Sequence, residues 1–295
     1  MKISRRQFLT LLGASSATAA VGIPLQSLAL PAGAKKVIWL IGSACSGCSV
    51  SFLNRIATVA PQTAGDVLLD IVEVDFHQAL MVASGELAVS ASEAVFLAGG
   101  YLLVIEGGIP TSFAGRACWV WSRNGVDIPF QDVVRRYASR AAGIICLGNC
   151  ASWGGVPSAY PNPTGVKGVK ALTGLNTINV PGCPPHPDWF IWVVAQVLAG
   201  ANIALDGSGR PTALFGRTVH SQCPRRGREE AETFGVDNEC LIELGCKGPS
   251  TMAGCPVGKW NGAVNWCADS NAPCIGCAEP SFPLSGLMGP GTGGD

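Results

Sequence analysis

Residues 36–48 read Lys36-Val37-Ile38-Trp39-Leu40-Ile41-Gly42-Ser43-Ala44-Cys45-Ser46-Gly47-Cys48. An unbroken apolar run closed by glycine predicts a strand buried on both faces, which is how strands of a parallel sheet read. The two cysteines just beyond it stand where such a sheet binds ligands, outside the carboxyl end of a strand. Working outward, residues 50–59 have helical spacing, 67–74 read as a second strand, 87–97 as an alanine-rich helix and 101–106 as a third strand. Residues 130–142 predict a helix with Val133, Val134 and Tyr137 on one side. Residues 143–148 follow as a fourth strand, 167–172 as a short helix and 177–180 as a fifth strand. A helix opened by Pro187 then runs to residue 198. Alternation of this kind predicts an α/β fold, a flavodoxin-like doubly wound parallel sheet.

The pattern changes after about residue 210. Strand signals fade, glycine and proline multiply, and seven of the 13 cysteines crowd between Cys223 and Cys277. The expected organisation is a leader over 1–34, a flavodoxin-like domain over 35–210 and a loop-rich, cysteine-rich domain over 211–295. The 295-residue chain has 20 basic and 20 acidic residues and only 14% charged residues. A balanced charge argues against nucleic acid as a partner, and 48% hydrophobic content excludes a disordered chain.

The leader carries Arg5-Arg6 ahead of a short apolar stretch, has no acidic residue, and ends in Ala32-Gly33-Ala34. It resembles a twin-arginine export signal. Proteins exported by that route cross already folded, often with a cofactor in place, which shifts the reading of the cysteines from disulfides towards metal. Without Lys2, Arg5 and Arg6 the chain has 17 basic and 20 acidic residues, a formal charge of −3. No later stretch is long and apolar enough to read as a membrane span.

Three predicted strand ends carry cysteine: Cys45 and Cys48 after the first, Cys150 after the fourth and Cys183 after the fifth. Four thiolates meeting on one rim can hold a tetrahedral zinc or an iron–sulfur cluster. Glu106 ends the third strand on the same rim, either beside that group or as a solvated or core-capping carboxylate. A second constellation comprises His220, Cys223, Cys240, Cys246, Cys255, Cys267, Cys274 and Cys277. Eight potential ligands suffice for two four-ligand sites, and spacing alone leaves their partition open. Cys118 and Cys146 read as packed thiols. Residues suited to acid–base or nucleophilic catalysis form no set.

Several motifs then resemble, in order and over nearly the whole chain, the small subunits of nickel–iron hydrogenases. They are the leader, Cys45-Ser46-Gly47-Cys48-Ser49, Val104-Ile105-Glu106-Gly107, 148–155 (Gly-Asn-Cys-Ala-Ser-Trp-Gly-Gly), 181–187 (Pro-Gly-Cys-Pro-Pro-His-Pro), Phe215-Gly216-Arg217, His220-x2-Cys223-Pro224, 244–249 (Leu-Gly-Cys-Lys-Gly-Pro) and Cys274-Ile275-Gly276-Cys277-x-Glu279-Pro280. The resemblance implies a partition: Cys45, Cys48, Cys150 and Cys183 on a proximal 4Fe–4S cluster facing a large subunit, and His220, Cys223, Cys240 and Cys246 on a distal 4Fe–4S cluster near the surface. Cys255, Cys274 and Cys277 would hold a medial cluster between them. Many family members have proline where this chain has Cys267, with a 3Fe–4S medial cluster. Here Cys267 implies a fourth ligand and a medial 4Fe–4S cluster, and residues 259–267 look most like the nickel–iron–selenium type. If Cys267 is a bystander, the medial cluster is 3Fe–4S.

Gly47 and Gly155 occupy the positions where oxygen-tolerant members carry two extra cysteines, which implies an ordinary proximal cubane. The implied function is to conduct electrons between the large subunit's nickel–iron centre, where H2 is interconverted with protons and electrons, and a multihaem cytochrome c or membrane cytochrome b. The implied location is the periplasm. The competing readings are an iron–sulfur subunit of another oxidoreductase related to complex I, a zinc-stabilised exported binding protein, and a secreted disulfide protein.

Overall fold

The computed structural model describes residues 36–58 and 60–283, so the leader lies outside the described residues. Strand β1 (Lys36–Ile41) is followed by helices α1 (Gly47–Leu53) and α2 (Ala64–Asp70), strand β2 (Glu73–His77), helix α3 (Gly85–Ala98) and strand β3 (Leu102–Glu106). A hairpin of β4 (Trp119–Arg123) and β5 (Val126–Pro129) leads into helix α4 (Phe130–Ala138) and strand β6 (Gly143–Leu147). Then come α5 (Asn149–Trp153), α6 (Val169–Thr173), β7 (Ile178–Val180) and α7 (Pro187–Leu198). Beyond them the described chain has only single-turn helices, α8 (Thr212–Phe215), α9 (Val219–Gln222) and α10 (Cys255–Gly258), and one 3-10 turn, among loops.

The five long-range strands pair in parallel in the order β2-β1-β3-β6-β7. This is the flavodoxin-like order, whose direction of winding reverses between β1 and β3. Alternate side chains divide the sheet between two cores, as the period of two requires. Val37, Trp39, Leu102, Val104 and Ile145 pack under α7 and reach Phe215 and Trp266 of the later chain. Ile38, Leu40, Leu103 and Ile105 face Phe130, Val133, Val134 and Tyr137 of α4. Trp189 stacks edge-on to Phe215, 5.1 Å between centroids, so aromatic packing joins the loop-rich part to the sheet.

The strands expected over 36–42, 101–106, 143–148 and 177–180 are present, and α7 spans the expected residues. One strand expectation is corrected. Residues 67–74 are not a strand: the chain is helical over α2, turns, and enters β2 at Glu73. A reciprocal cap explains it. The Thr63 N–H donates to Asp66 Oδ2 at 2.9 Å and the Asp66 N–H to Thr63 Oγ1 at 3.4 Å, which satisfies two of the free donors at a helix start. Helix α1 begins and ends earlier than the expected 50–59, and α4 stops at Ala138. The β4–β5 hairpin was not expected from the apolar pattern. Its turn is Asn124-Gly125, both with positive φ (51° and 75°), the pair favoured by type I′ hairpins. Cys146 is fully buried in β6, and Cys118 packs against the same core.

His77 ends β2 inside the fold. Its Nδ1 accepts from the Ala79 N–H at 3.1 Å, so Nε2 carries the proton and donates to Ser49 Oγ at 3.2 Å. Burial pushes its pKa down to about 4. The unfolded chain therefore binds the extra proton between about pH 6.5 and pH 4, and this contribution to stability is full above that window and lost as pH falls through it. From pH 7 to pH 5 the loss from this one group is about 2 kcal/mol. In His77→Gln, unfolding free energies measured at the two pH values should differ by about that much less than in the parent. An unchanged difference would count against a buried neutral His77.

Candidate metal centre

The reversal of winding between β1 and β3 opens a crevice at the strand ends, and the four predicted cysteines meet there. Cys45, Cys48, Cys150 and Cys183, with Glu106, Gly107, Asn149 and Pro184 among their neighbours, line one pocket of about 70 Å³. Cys45 precedes α1, Cys48 lies in its first turn, Cys150 opens α5, and Cys183 sits in the loop after β7. Three separate strand ends therefore supply the four sulfurs.

Two glycines make room for them. A Cβ on Gly148 would stand 2.5 Å from the Cys48 sulfur, and one on Gly155 would stand 2.8 Å from the backbone nitrogen and sulfur of Cys150. Both have positive φ, 89° and 54°, a region where glycine carries no Cβ penalty.

The carboxylate of Glu106 organises the pocket floor. It is fully buried. It accepts from the backbone N–H of Cys48 and of Ser49, both at 3.2 Å, from Ser49 Oγ at 2.5 Å and from Trp39 Nε1 at 3.2 Å. The residue preceding α1, Ser46, makes no side-chain cap. A carboxylate from β3 takes that place, with the free N–H groups and the positive end of the helix pointed at it. Glu106 is thus a core-capping group and also a wall of the thiol pocket, not a solvated one.

Burial governs the thiols. It pushes the Cys150 thiol up to about 12, with the Cys183 and Cys45 charges adding to the effect. It raises Cys48 well above the ordinary range, helped by Glu106 and the other three sulfurs, and raises Cys183 too. Four thiolates here would repel one another, and Cys48 and Cys150 are largely shielded from water, so the deprotonated set needs a bound metal charge among them.

The second constellation falls into two neighbourhoods. The Cys255 thiol is raised by burial and then by the charges of Cys277, Cys274 and Cys267, which places those four together. Burial holds Cys274 at about 11 and Cys277 at about 12. Cys240 senses Cys246 and Cys223. His220 joins that group through Gly248, whose Cβ would lie 3.4 Å from the Cys246 sulfur and 3.6 Å from the His220 Cβ.

The groups also touch in series. Cys277 has the Cys183 backbone as a hydrogen-bond partner, and the Cys274 N–H donates to the Cys246 sulfur at 3.3 Å. All thirteen cysteines are free thiols, with no disulfide. Among the described residues, no group of three or more His, Cys, Asp or Glu is drawn tight enough for a single metal ion.

One contact that sequence reasoning missed joins the two halves. Asn149 Nδ2 donates to the carbonyls of Cys277 at 3.0 Å and Glu279 at 2.8 Å. The neighbour of Cys150 thereby grips the loop of the Cys274-x2-Cys277 pair. The only signal in sequence was the adjacency Asn149-Cys150.

A parallel sheet whose strand ends gather four thiols, continued by a loop region that gathers seven more and a histidine, defines a cofactor-bearing redox protein. Comparison with known proteins agrees. Residues 215–287 match the C-terminal family of NiFe/NiFeSe hydrogenase small subunits, and 45–197 match the NADH ubiquinone oxidoreductase 20 Kd subunit family. The chain is 38% identical to the periplasmic [NiFeSe] hydrogenase small subunit of Desulfomicrobium baculatum, covering 96% of this chain and 97% of that one. It is also 38% identical to the periplasmic [NiFe] hydrogenase small subunit of Solidesulfovibrio fructosivorans, over 95% and 90%. The solved [NiFeSe] hydrogenase of Desulfovibrio vulgaris Hildenborough superposes with a TM-score of 0.82 at 37% identity, covering 88% of this chain and 99% of that one. The chain belongs to the small subunits of NiFe/NiFeSe hydrogenases, the iron–sulfur electron-transfer subunits of those enzymes. The complex I-related reading accounts only for residues 45–197.

Replacing Glu106 with Gln keeps the shape but turns an amide N–H2 towards donors. The expected cost is about 2–3 kcal/mol, from hydrogen bonds to a charged acceptor that are lost or unsatisfied. The Cys45–Cys48 turn should loosen, and the iron content of the purified protein should fall in a metal assay. Full iron at the parent's thermal stability would show that Glu106 is dispensable.

Proposed function

We propose that this chain carries electrons between a hydrogenase large subunit and an external redox protein through three 4Fe–4S clusters. Cys45, Cys48, Cys150 and Cys183 would hold the first. Cys255, Cys267, Cys274 and Cys277 would hold the second, and His220, Cys223, Cys240 and Cys246 the third. The carrying observation is the unbroken series of contacts from Cys183 to Cys277 and from Cys274 to Cys246. It gives one path from the rim of the sheet through the loop-rich part. Each bound cluster supplies a reversible one-electron couple whose potential depends on ligand charge, hydrogen bonds and burial.

The residues fit that cargo. Sulfurs ring an open pocket instead of meeting at a point, and glycines give way at Gly148 and Gly155. Gly155 also bears on cluster type. A cysteine there would begin with a Cβ crowding Cys150, on a backbone with positive φ, which favours an ordinary cubane over one with extra sulfur ligands. Cys267 is half-buried and its charge reaches Cys255, Cys274 and Cys277, which supports it as the fourth ligand of the second cluster.

The division of the chain follows: residues 35–210 present the first cluster to the large subunit, and 211–295 hold the other two. His220 is half-buried and, as a neutral ligand, makes the third site less negative than an all-thiolate one, which suits an exit at higher potential. A multihaem cytochrome c or a membrane cytochrome b would accept there. Relatives named as periplasmic support export, and Arg5-Arg6 ahead of the apolar stretch is what supports the twin-arginine route. Among the described residues no helix is long and apolar enough to cross a membrane.

The purified complex should yield about twelve iron and twelve labile sulfide for this chain. Electron paramagnetic resonance of the oxidised protein should lack a strong 3Fe–4S signal, and its presence at full occupancy would remove Cys267 from the ligand set. His220→Cys should lower the potential of the third cluster and slow exchange with the physiological acceptor, while H2 activation followed by isotope exchange stays at the parent's rate. Unchanged turnover with that acceptor would argue against an exit at His220.

A further inference from the structure

Away from the thiols, a cleft of about 340 Å³ lies between the end of α1 and the 258–263 loop. Arg55 is at its wall and is only 6% exposed. Its Nε donates to Asp188 Oδ1 at 2.7 Å. One of its two terminal nitrogens, Nη1, is buried and has no partner among the described residues. A buried guanidinium N–H left without an acceptor carries the full desolvation cost of that group, so such a donor calls for an oxygen from elsewhere.

The rest of the lining says which oxygen. Arg55 and Lys259 bring two positive charges and Asp188 one negative. His186 adds none: its Nδ1 accepts from the Asp188 N–H at 3.1 Å, its Nε2 donates to the Lys259 carbonyl, and burial holds its pKa down. The lining thus has an excess of one positive charge, although Lys259 also reaches outward to Asp269 at 2.8 Å. A guanidinium whose Nε is taken and whose Nη1 lacks an acceptor matches a carboxylate oxygen.

The surroundings say whose. Val50, Leu53 and Ile56 follow one another at spacing of three on α1 and the residues after it, all exposed, Ile56 by 70%. Val264 stands exposed beside the cleft loop. This apolar stripe begins at the helix that carries Cys48 and ends at Ile56, the residue after Arg55. An exposed apolar band around a buried arginine is the anatomy of an obligate interface, where arginine is enriched and anchors the centre.

We propose that the Arg55 cleft receives an acidic side chain of the hydrogenase large subunit, with Val50, Leu53 and Ile56 covered by the same subunit. This rests on the reading that the chain works beside a large subunit and passes electrons at the nearby thiol rim. It adds the place and the chemistry of an anchor.

Two measurements on the assembled heterodimer test it. A photo-crosslinking phenylalanine placed at Ile56 should, on irradiation, form an adduct with a large-subunit peptide that contains Asp or Glu. Arg55→Gln should speed subunit exchange, followed by native mass spectrometry, by about ten-fold or more. Arg55→Lys, which keeps the charge and loses the fork, should fall between Arg55→Gln and the parent. Iron content equal to the parent's certifies that a variant has folded. The double variant Arg55→Gln/Asp188→Asn, which leaves neither charge behind, serves if Arg55→Gln does not fold.

An adduct confined to this chain's own carboxyl-terminal tail, an adduct to a peptide without Asp or Glu, or exchange at the parent's rate in folded Arg55 variants would each overturn the anchor. Absence of any heterodimer with the parent chain would instead overturn the reading on which it rests.

Discussion

The carboxylate of Glu106 takes four donors in a place closed to water, and much of the structure follows from that one arrangement. An ion so deeply buried is tolerable only when its lone pairs are occupied. Trp39 comes from β1, Glu106 from β3, and Cys48 and Ser49 from α1, so the carboxylate ties the two strands at the reversal of winding to the helix that starts above them. Ser49 extends the network to His77 at the end of β2. Three adjacent strand ends are thereby locked in one polar cluster beneath the thiols. The helix start cannot drift, so Cys48 is held in place on the pocket floor.

The parallel sheet supplies the other half of that constraint. Its strands are continuous apolar runs because both faces are covered, and its loops at the carboxyl ends are free to carry function. Two of the outer strand ends, those of β6 and β7, bring Cys150 and Cys183 to the same rim as Cys45 and Cys48. A chain of 295 residues thus gathers four thiols from 139 positions of sequence, Cys45 to Cys183, with no local cysteine motif longer than Cys-x2-Cys.

How far the residues announce this varies with the physics of each segment. Strands β1, β3, β6 and β7 are legible because total burial leaves a strong, simple signal. Residues 67–74 misled because Val67-Leu68-Leu69-Asp70-Ile71-Val72-Glu73-Val74 is apolar enough for either state. The decision lay upstream, in the Thr63 and Asp66 cap, which makes the first half helical. The β4–β5 hairpin has no clean alternation, since its strands are short and half-exposed, and only Asn124-Gly125 marks it. Glu106 was visible as a strand-end acid, but its partners come from two other segments, β1 and α1, and no local pattern encodes them. The eight candidate ligands after residue 219 were countable, yet their grouping depends on loop paths that periodicity does not describe.

Those loop paths have their own logic, which also explains the low charge content. Between residues 211 and 283 there is almost no ladder to satisfy backbone carbonyls. Buried arginines do part of that work. Arg225 donates through Nη1 to the Glu239 carbonyl at 3.1 Å and Asn271 Oδ1 at 2.8 Å, and through Nη2 to the Ala268 carbonyl at 2.6 Å. Glu239 adjoins Cys240, and Ala268 adjoins Cys267. One guanidinium therefore spans the neighbours of two cysteines that belong to different thiol groups. Arg210 does the same at the junction with the sheet, holding Asp206, the Ala278 carbonyl and Glu279. Charge is scarce in this chain, and a share of it is spent inside, where each arginine fixes several loops at once. The distance between successive thiol groups is then a property of the protein's own hydrogen bonds. An electron path needs that: transfer depends on separations that stay constant whether or not a given centre is reduced.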